Sequence, residues 1–174
     1  MSPYEANLQE FVVHFATSLE RVAILRGLLS YRRELRLIGV VDGWQWMDGS
    51  FVENVEALRS RAPADIDLVT FSRVPGDAAE KRRVVLANMN LFDRAQTKAL
   101  YKCDAFFVDL DKKPELLVDD SRYWFGLFSH QRDTSLWKGM IKVPLEAQTN
   151  DDAALALLNQ FDRELGGGQN AQEA

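Results

Sequence analysis

Two amphipathic helices are predicted at the start of the chain, because apolar residues there recur every three or four positions. The first covers 8–16, and the second runs to about Leu37 and stops near Gly39. Thr17 and Glu20 match a capping box, with Thr17 as the N-cap and Glu20 reaching back to it. The apolar positions of the second helix are Leu19, Val22, Leu25, Leu28 and Leu29. Its arginines are expected on or near the polar side, and they are Arg21, Arg26, Arg32 and Arg33.

Runs rich in apolar residues predict strands in the rest of the chain. The predicted strands lie at 40–47, 66–71, 103–110 and 140–145. Helical patterns occupy 78–102 and 152–165, and residues 150–152 supply a cap for the latter helix. Residues 53–63 have turn or helix character. Helices followed by strands that alternate with helical or loop segments predict an α/β or α+β fold, with helices packed on a sheet.

The length of 174 residues fits one domain. We divide residues 1–165 into a helical amino-terminal part at 5–38, a core at 40–145 and the carboxyl-terminal helix at 152–165. Residues 166–174 contain three glycines and polar residues with nothing to bury, and we expect a flexible tail.

Composition limits the partners and the cellular compartment that we expect for the protein. A net charge of −5 argues against a broad basic surface that coats nucleic acid, but leaves room for a local basic pocket. No apolar run approaches the roughly 18 residues that span a bilayer, and no secretory signal is evident. Cys103 is the only cysteine, so an internal disulfide is impossible and a cysteine-based zinc site is implausible. We therefore expect a cytoplasmic protein without a membrane partner.

Two aspartates at the start of the second predicted strand are the first candidate for chemistry. Asp65 and Asp67 are two residues apart, so on a strand they project to the same side, about 6.5–7 Å apart along the chain. Two ionised carboxylates held side by side repel each other. They are tolerated mainly where a cation sits between them, and Mg²⁺ prefers oxygen ligands of this kind.

A glycine and a serine at the end of the first predicted strand supply the complementary half. Gly49 lets the backbone approach a phosphate closely, and Ser50 adds a hydroxyl to the free N–H groups of the turn. A phosphate cradle that faces a metal-binding carboxylate pair is the minimum equipment for phosphoryl or nucleotidyl transfer.

The pattern resembles the nucleotidyltransferase superfamily that includes DNA polymerase beta, kanamycin nucleotidyltransferase and the minimal nucleotidyltransferase antitoxins. Its signature is an apolar strand, Gly-Ser, a spacer, and then Asp-apolar-Asp-apolar, with a third acidic residue on a later strand. More narrowly, the chain resembles a bacterial family within that superfamily. The motifs that carry this likeness are Trp-x-Asp-Gly-Ser-Phe at 46–51, Pro-x-Asp-Ile-Asp-Leu at 63–68, Tyr-Trp-x-Gly-x-Phe at 123–128 and Lys-Gly at 138–139.

The resemblance implies a minimal mixed sheet with helices packed on it, and a role for each motif residue. Asp65 and Asp67 would hold Mg²⁺ or Mn²⁺, while Gly49 and Ser50 would bind the phosphates of a nucleoside triphosphate. The third metal ligand would be Asp104 in preference to Asp109, because Asp104 opens its strand. This aspartate would also help to activate the attacking hydroxyl.

Other residues are weaker candidates for the same site. Lys138 and Lys142 lie near the sheet and are candidates for contact with a triphosphate. The tryptophans are expected to pack in the core or at an edge, and the segment 123–125 is the best candidate if a base stacks.

Two functions follow from the resemblance. The first is an enzyme that transfers an NMP from an NTP, with ATP as the first candidate, to a protein, an RNA end or a small molecule. The alternative is a weakly active or inactive binding protein of the antitoxin or phage-defence type, which acts through a toxin or another partner chain. A nucleotide-binding regulatory module without chemistry is a third reading.

Overall fold

The computed structural model describes residues 2–131, 134–145 and 148–170. The strands are β1 (Tyr4–Glu5), β2 (Trp44–Asp48), β3 (Ile66–Ser72), β4 (Cys103–Asp109) and β5 (Ile141–Pro144). The helices are α1 (Leu8–Phe15), α2 (Leu19–Leu37), α3 (Val55–Arg59), α4 (Ala78–Ala87), α5 (Met89–Phe92), α6 (Arg94–Tyr101), α7 (Pro114–Phe128) and α8 (Gln148–Asn170). A 3₁₀ turn at Ser50–Val52 follows β2.

The strands form one mixed sheet in the order β1-β5-β2-β3-β4. β2 is antiparallel to both of its neighbours, β3 and β5. β3 and β4 are parallel, as are β1 and β5. Helices pack on this sheet, so the predicted α+β fold is confirmed. Among the described residues, no helix combines the length and the apolar character needed to cross a membrane.

Side-chain alternation divides the apolar residues into two cores, one on each face of the sheet. The larger core lies under α1, α2 and α8 and contains Met47, Ile66, Leu68, Cys103, Ala105 and Val143 from the strands. The smaller core is rich in aromatic residues and contains Val69, Phe71, Val108, Trp124, Phe128 and Met140, with Trp44, Trp46 and Phe106 against it. Trp124 and Phe128 belong to α7, so α7 covers this second face.

Two arginines of α2 are buried, contrary to the prediction that they lie on its polar side. Arg32 is 1 % exposed, and its guanidinium donates to Asp151 (2.8 and 3.0 Å), to Gln45 (2.8 Å) and to the Pro144 carbonyl (2.9 Å). Arg21 is buried as well. Charged side chains enter an interior only when they are paired in this way.

Several boundaries differ from the predicted ones. Ser18, not Thr17, caps α2, because its hydroxyl accepts from the Arg21 backbone N–H at 3.3 Å. The predicted helix at 78–102 is three helices, and β2 starts at Trp44 instead of residue 40. α8 begins at Gln148, so residues 150–152 lie inside the helix instead of capping it.

The two ends of the chain also depart from the sequence analysis. α8 continues to Asn170, so residues 166–170 of the predicted flexible tail are helical. Residues 171–174 of that tail lie outside the described residues. The short strand β1 was not predicted, because two residues are too few to form a periodic pattern.

Candidate active site

Three aspartates stand side by side at one end of the sheet. Because β2 is antiparallel to β3, the carboxyl end of β2 meets the amino ends of β3 and β4. Asp48 pairs in register with Asp67, and Asp67 pairs with Asp104. Directly opposed residues share a face of the sheet and have Cα atoms about 4.5–5.5 Å apart. We call Asp48, Asp67 and Asp104 the carboxylate row; it lies on the aromatic face of the sheet, the face that α7 covers.

Asp65 lies just before β3 and is linked to the row by a lysine of α6. Its carboxylate forms an ion pair with Lys98, whose Nζ atom is 2.6 Å from Asp65 Oδ2. The same ammonium is 4.0 Å from Asp104 Oδ2. Asp65, Asp67 and Asp104, the three predicted metal ligands, are therefore gathered around one end of the sheet.

The register distinguishes the two candidates for the third carboxylate. Asp109 pairs with Ser72 at the opposite end of β4 and forms a 3.3 Å ion pair with Lys81. Asp104 is therefore the β4 aspartate that lies beside Asp67.

Gly49 brings the backbone against this row. Its φ of 82° and ψ of −165° belong to a region that is essentially restricted to glycine. A Cβ atom at this position would overlap the Asp67 carboxylate. Ser50 then starts the 3₁₀ turn. The predicted Gly-Ser turn and the predicted aspartate are thus in direct contact.

Arg21 explains how the turn after Gly49 is held. Its guanidinium donates to the carbonyl oxygens of Phe51 and Glu53, both at 2.7 Å, and pairs with Glu56 at 2.6 Å. The buried arginine of α2 therefore fixes the segment that carries the predicted phosphate cradle.

We expect Gly49→Ala to destabilise the fold by about 1–3 kcal/mol, because the backbone conformation is strained for alanine and the Asp67 side chain must move. Urea unfolding monitored by tryptophan fluorescence measures this loss. Gly126→Ala is the matched control, since a Cβ there meets nothing within 4 Å and alanine favours a helix. Equal unfolding free energies for the two variants would contradict the close contact between Gly49 and Asp67.

The sequence assigns Asp48 no role, yet it is as deeply buried as Asp104. It is 3 % exposed, and its Oδ2 atom is 2.9 Å from Lys138 Nζ. Its Oδ1 atom is buried and has no hydrogen-bond partner among the described residues. Burial raises the pKa of Asp48 to about 7, although Lys138 acts in the opposite direction. The available signal was the alternation of Trp44, Trp46 and Asp48 along one strand face.

The two candidate lysines have different positions. Lys138 donates to the Gly49 carbonyl and pairs with Glu53, both at 3.3 Å, in addition to Asp48. The ammonium of Lys142 instead pairs with Glu5 at 3.0 Å and lies 5.4 Å from the centre of the Trp44 ring. The structure therefore brings Lys138 to the carboxylate row but does not bring the charge of Lys142 there.

Two cations of α6 complete the electrostatics of the site, and sequence analysis missed both. The Arg94 guanidinium donates two hydrogen bonds to the Asp104 carboxylate, and the Nη2–Oδ2 distance is 2.6 Å. Lys98, one turn later, holds Asp65. These carboxylates raise the pKa of Arg94 and Lys98. The spacing of four residues on a predicted helix was the available signal, because it places both cations on one face.

The donor chemistry suits a hard divalent cation, but in the structure Arg94 and Lys98 pair with two of the carboxylates. Within the described ranges, no three His, Cys, Asp or Glu side chains are arranged closely enough to hold a metal ion together. The ligands that the sequence predicts are nevertheless carboxylates, which Mg²⁺ and Mn²⁺ prefer. The unpartnered Asp48 Oδ1 atom is the kind of buried oxygen that a cation would satisfy.

Comparison with known proteins identifies a family but not an activity. A family described as "Family of unknown function (DUF6932)" matches residues 2–144, so the chain belongs to this family. No curated protein matches the chain. No solved structure matches it either.

Proposed function

We propose that this member of the DUF6932 family is a nucleotidyltransferase that depends on Mg²⁺ or Mn²⁺. It transfers an NMP from an NTP, with ATP as the first candidate, to a protein, RNA or small-molecule acceptor. The observation that carries the proposal is the in-register row of Asp48, Asp67 and Asp104 with the Gly49 backbone against its middle member.

The charge balance of the site supports a polyanionic substrate with a metal ion. Adjacent carboxylates repel one another unless cations neutralise them. A divalent ion held by Asp65, Asp67 and Asp104 would neutralise charge on the reacting phosphates. Lys138, which lies 3.3 Å from the Gly49 carbonyl, supplies a cation at the Gly-Ser turn. The turn itself offers backbone N–H groups and the Ser50 hydroxyl to phosphate oxygens.

Asp104 is the candidate general base. In the proposed reaction the acceptor hydroxyl oxygen forms a bond to the α-phosphorus, the bond to pyrophosphate breaks, and the hydroxyl proton passes to Asp104. A positioned base of this kind contributes about 10²–10⁴-fold to a rate. In the structure the Arg94 guanidinium donates to both oxygens of this carboxylate.

The proposal predicts that Asp65→Asn/Asp67→Asn lowers nucleotide transfer at least about 100-fold, because the metal-binding carboxylates are lost. Purified protein is incubated with each α-labelled NTP and Mg²⁺ or Mn²⁺, with and without host lysate. Label on an acceptor in the wild-type lanes alone supports the proposal, and the mass of the acceptor identifies its class.

Asp162→Asn is the matched control, because its side chain is 47 % exposed on α8, which packs over the opposite face of the sheet. It is expected to retain transfer. Equal transfer by the double variant and the wild type would exclude this site. Absence of transfer in every lane would contradict the proposed nucleotidyltransferase activity.

A binding protein of the antitoxin or phage-defence type is the second candidate, and an exposed apolar stripe favours it. Leu116, Tyr123 and Leu127 of α7 are 49 %, 61 % and 50 % exposed and lie on one side of the helix. Exposed apolar stripes of this kind are typical of protein-binding surfaces. Under this reading, a co-purifying partner chain remains bound to the Asp67→Asn variant.

We also propose a cytoplasmic location. The only cysteine of the sequence, Cys103, is buried and unpaired, which agrees with a reducing compartment.

A further inference from the structure

We propose that Arg94 and Lys98 form a phosphate-binding pair that exchanges its carboxylate partners for the phosphates of the substrate when a metal ion enters. This inference rests on the proposed function and names the residues that receive the anion. In the structure the same pair contacts the Asp104 and Asp65 oxygens that a metal ion would need.

The first support is the unequal burial of the ion-pair partners. The Asp104 and Asp65 side chains are 4 % and 14 % exposed, whereas those of Arg94 and Lys98 are 61 % and 52 % exposed. The carboxylates are therefore fixed at the end of the sheet, and the cations reach them from solvent on long side chains. Such cations leave a carboxylate at little cost in packing, because most of their surface is already in water.

The second support is competition for the same oxygen atoms. Arg94 uses both oxygens of Asp104, and Lys98 bonds Asp65 Oδ2 at 2.6 Å while it lies 4.0 Å from Asp104 Oδ2. A metal ion bound by these carboxylates takes the lone pairs that the cations now use. Because both cations belong to α6, they remain beside the site after displacement, with Cβ atoms about 5–6 Å apart.

The third support is a basic cavity beside Arg94. A cavity of about 560 Å³ extends along the outer edge of β4, and Arg94 lines it together with two further cations, Lys81 and Arg82. Asp109 is the only acidic residue in its lining, and it is paired with Lys81. The Phe106 ring, also in the lining, lies 5.1 Å from the Arg94 guanidinium carbon. A phosphate chain fits this lining by charge, and the aromatic wall suits a nucleoside.

The exchange predicts opposite effects of one substitution on two ligands. Arg94→Gln frees Asp104, so the affinity for Mn²⁺ alone rises about tenfold, while the affinity for a nucleotide in saturating Mg²⁺ falls about tenfold. Lys98→Gln is expected to act like Arg94→Gln: the affinity for Mn²⁺ rises and the affinity for the nucleotide falls. Electron paramagnetic resonance of free Mn²⁺ measures the first affinity, and the fluorescence of N-methylanthraniloyl-ATP measures the second.

Arg122→Gln is the matched control, because Arg122 is an exposed helix arginine whose 3.4 Å ion pair, with Asp119, lies on its own helix. It is expected to leave both affinities unchanged. Mn²⁺ affinities that are equal in wild type, Arg94→Gln and Lys98→Gln would overturn the exchange and leave the metal site intact. A parallel loss of both ligands would also overturn it, since that result indicates a structural role. Absence of Mn²⁺ binding to the wild type would overturn the proposed function and the exchange with it.

Discussion

Asp48→Asn is expected to stabilise the protein above pH 7 and to leave its stability near pH 4 unchanged. Burial raises the pKa of Asp48 from 3.8 to about 7 in the folded protein. Between these values the folded state binds a proton that the unfolded state has released, so the free energy of unfolding falls as the pH rises. The free energy of unfolding falls by about 1.4 kcal/mol per pH unit across this interval. Burial of the ionised Asp48 carboxylate therefore costs at most about 4 kcal/mol of stability above pH 7. Asparagine carries no such cost.

Urea unfolding at pH 5 and at pH 8, in the presence of a chelator, measures the effect. The groups that face Asp48 are Lys138 on one side and Asp67 on the other, and neither is changed by the substitution. Asp119→Asn serves as the control, because its side chain is 67 % exposed. If the wild type and Asp48→Asn lose stability in parallel between the two pH values, the raised pKa is wrong.

Arg32→Ala is expected to lower the free energy of unfolding by about 3–5 kcal/mol, because it breaks a buried charge pair and leaves the partners behind. Asp151 keeps one ion pair, with Arg36 at 2.6 Å, so the lower end of that range is expected. Gln45 loses the donor to its side-chain oxygen while it stays fully buried, its amide still donating to Thr70 at 3.0 Å.

The measurement is thermal or urea unfolding of Arg32→Ala beside Arg33→Ala. Arg33 is the next residue of α2, its side chain is 71 % exposed, and its ion pair is with the neighbouring Glu34. Its replacement is expected to change stability by less than about 0.5 kcal/mol. A loss below about 1 kcal/mol for Arg32→Ala would mean that the network of α2, β2 and α8 is not needed for stability.

Local patterns in the sequence predicted much of the fold. The helical spacing in α1 and α2 and the apolar runs in β3, β4 and β5 fixed these elements within a few residues. The burial of Arg21 and Arg32 was missed because a periodicity argument treats every charged residue as polar. Only the tertiary structure supplies the carbonyl and carboxylate partners that make their burial favourable.

The candidate site divides in the same way. Gly49 and Asp67 were predicted because each belongs to a short motif, and the structure places them next to each other. The position of Asp48 beside Asp67 depends on the antiparallel direction of β2 and on its register against β3. No local sequence pattern predicts either of them. Asp104 and Asp109 lie near opposite ends of one strand, so register alone separated them. Lys142 was also predicted for the site, but in the structure its ammonium pairs with Glu5 of strand β1, which was not predicted.

The register of β2, β3 and β4 also determines which changes in chain length the site tolerates. The carboxylate row is held by strand pairing, not by residues 57–64 of the segment that connects β2 to β3. Insertions in surface connections cost little, and their cost grows slowly with length. Loss of one residue between Asp67 and Phe71 would instead shift the pairing by one position and turn the carboxylate toward the core under α2. Natural variation in length is therefore expected in the connections around the site and not within its three strands.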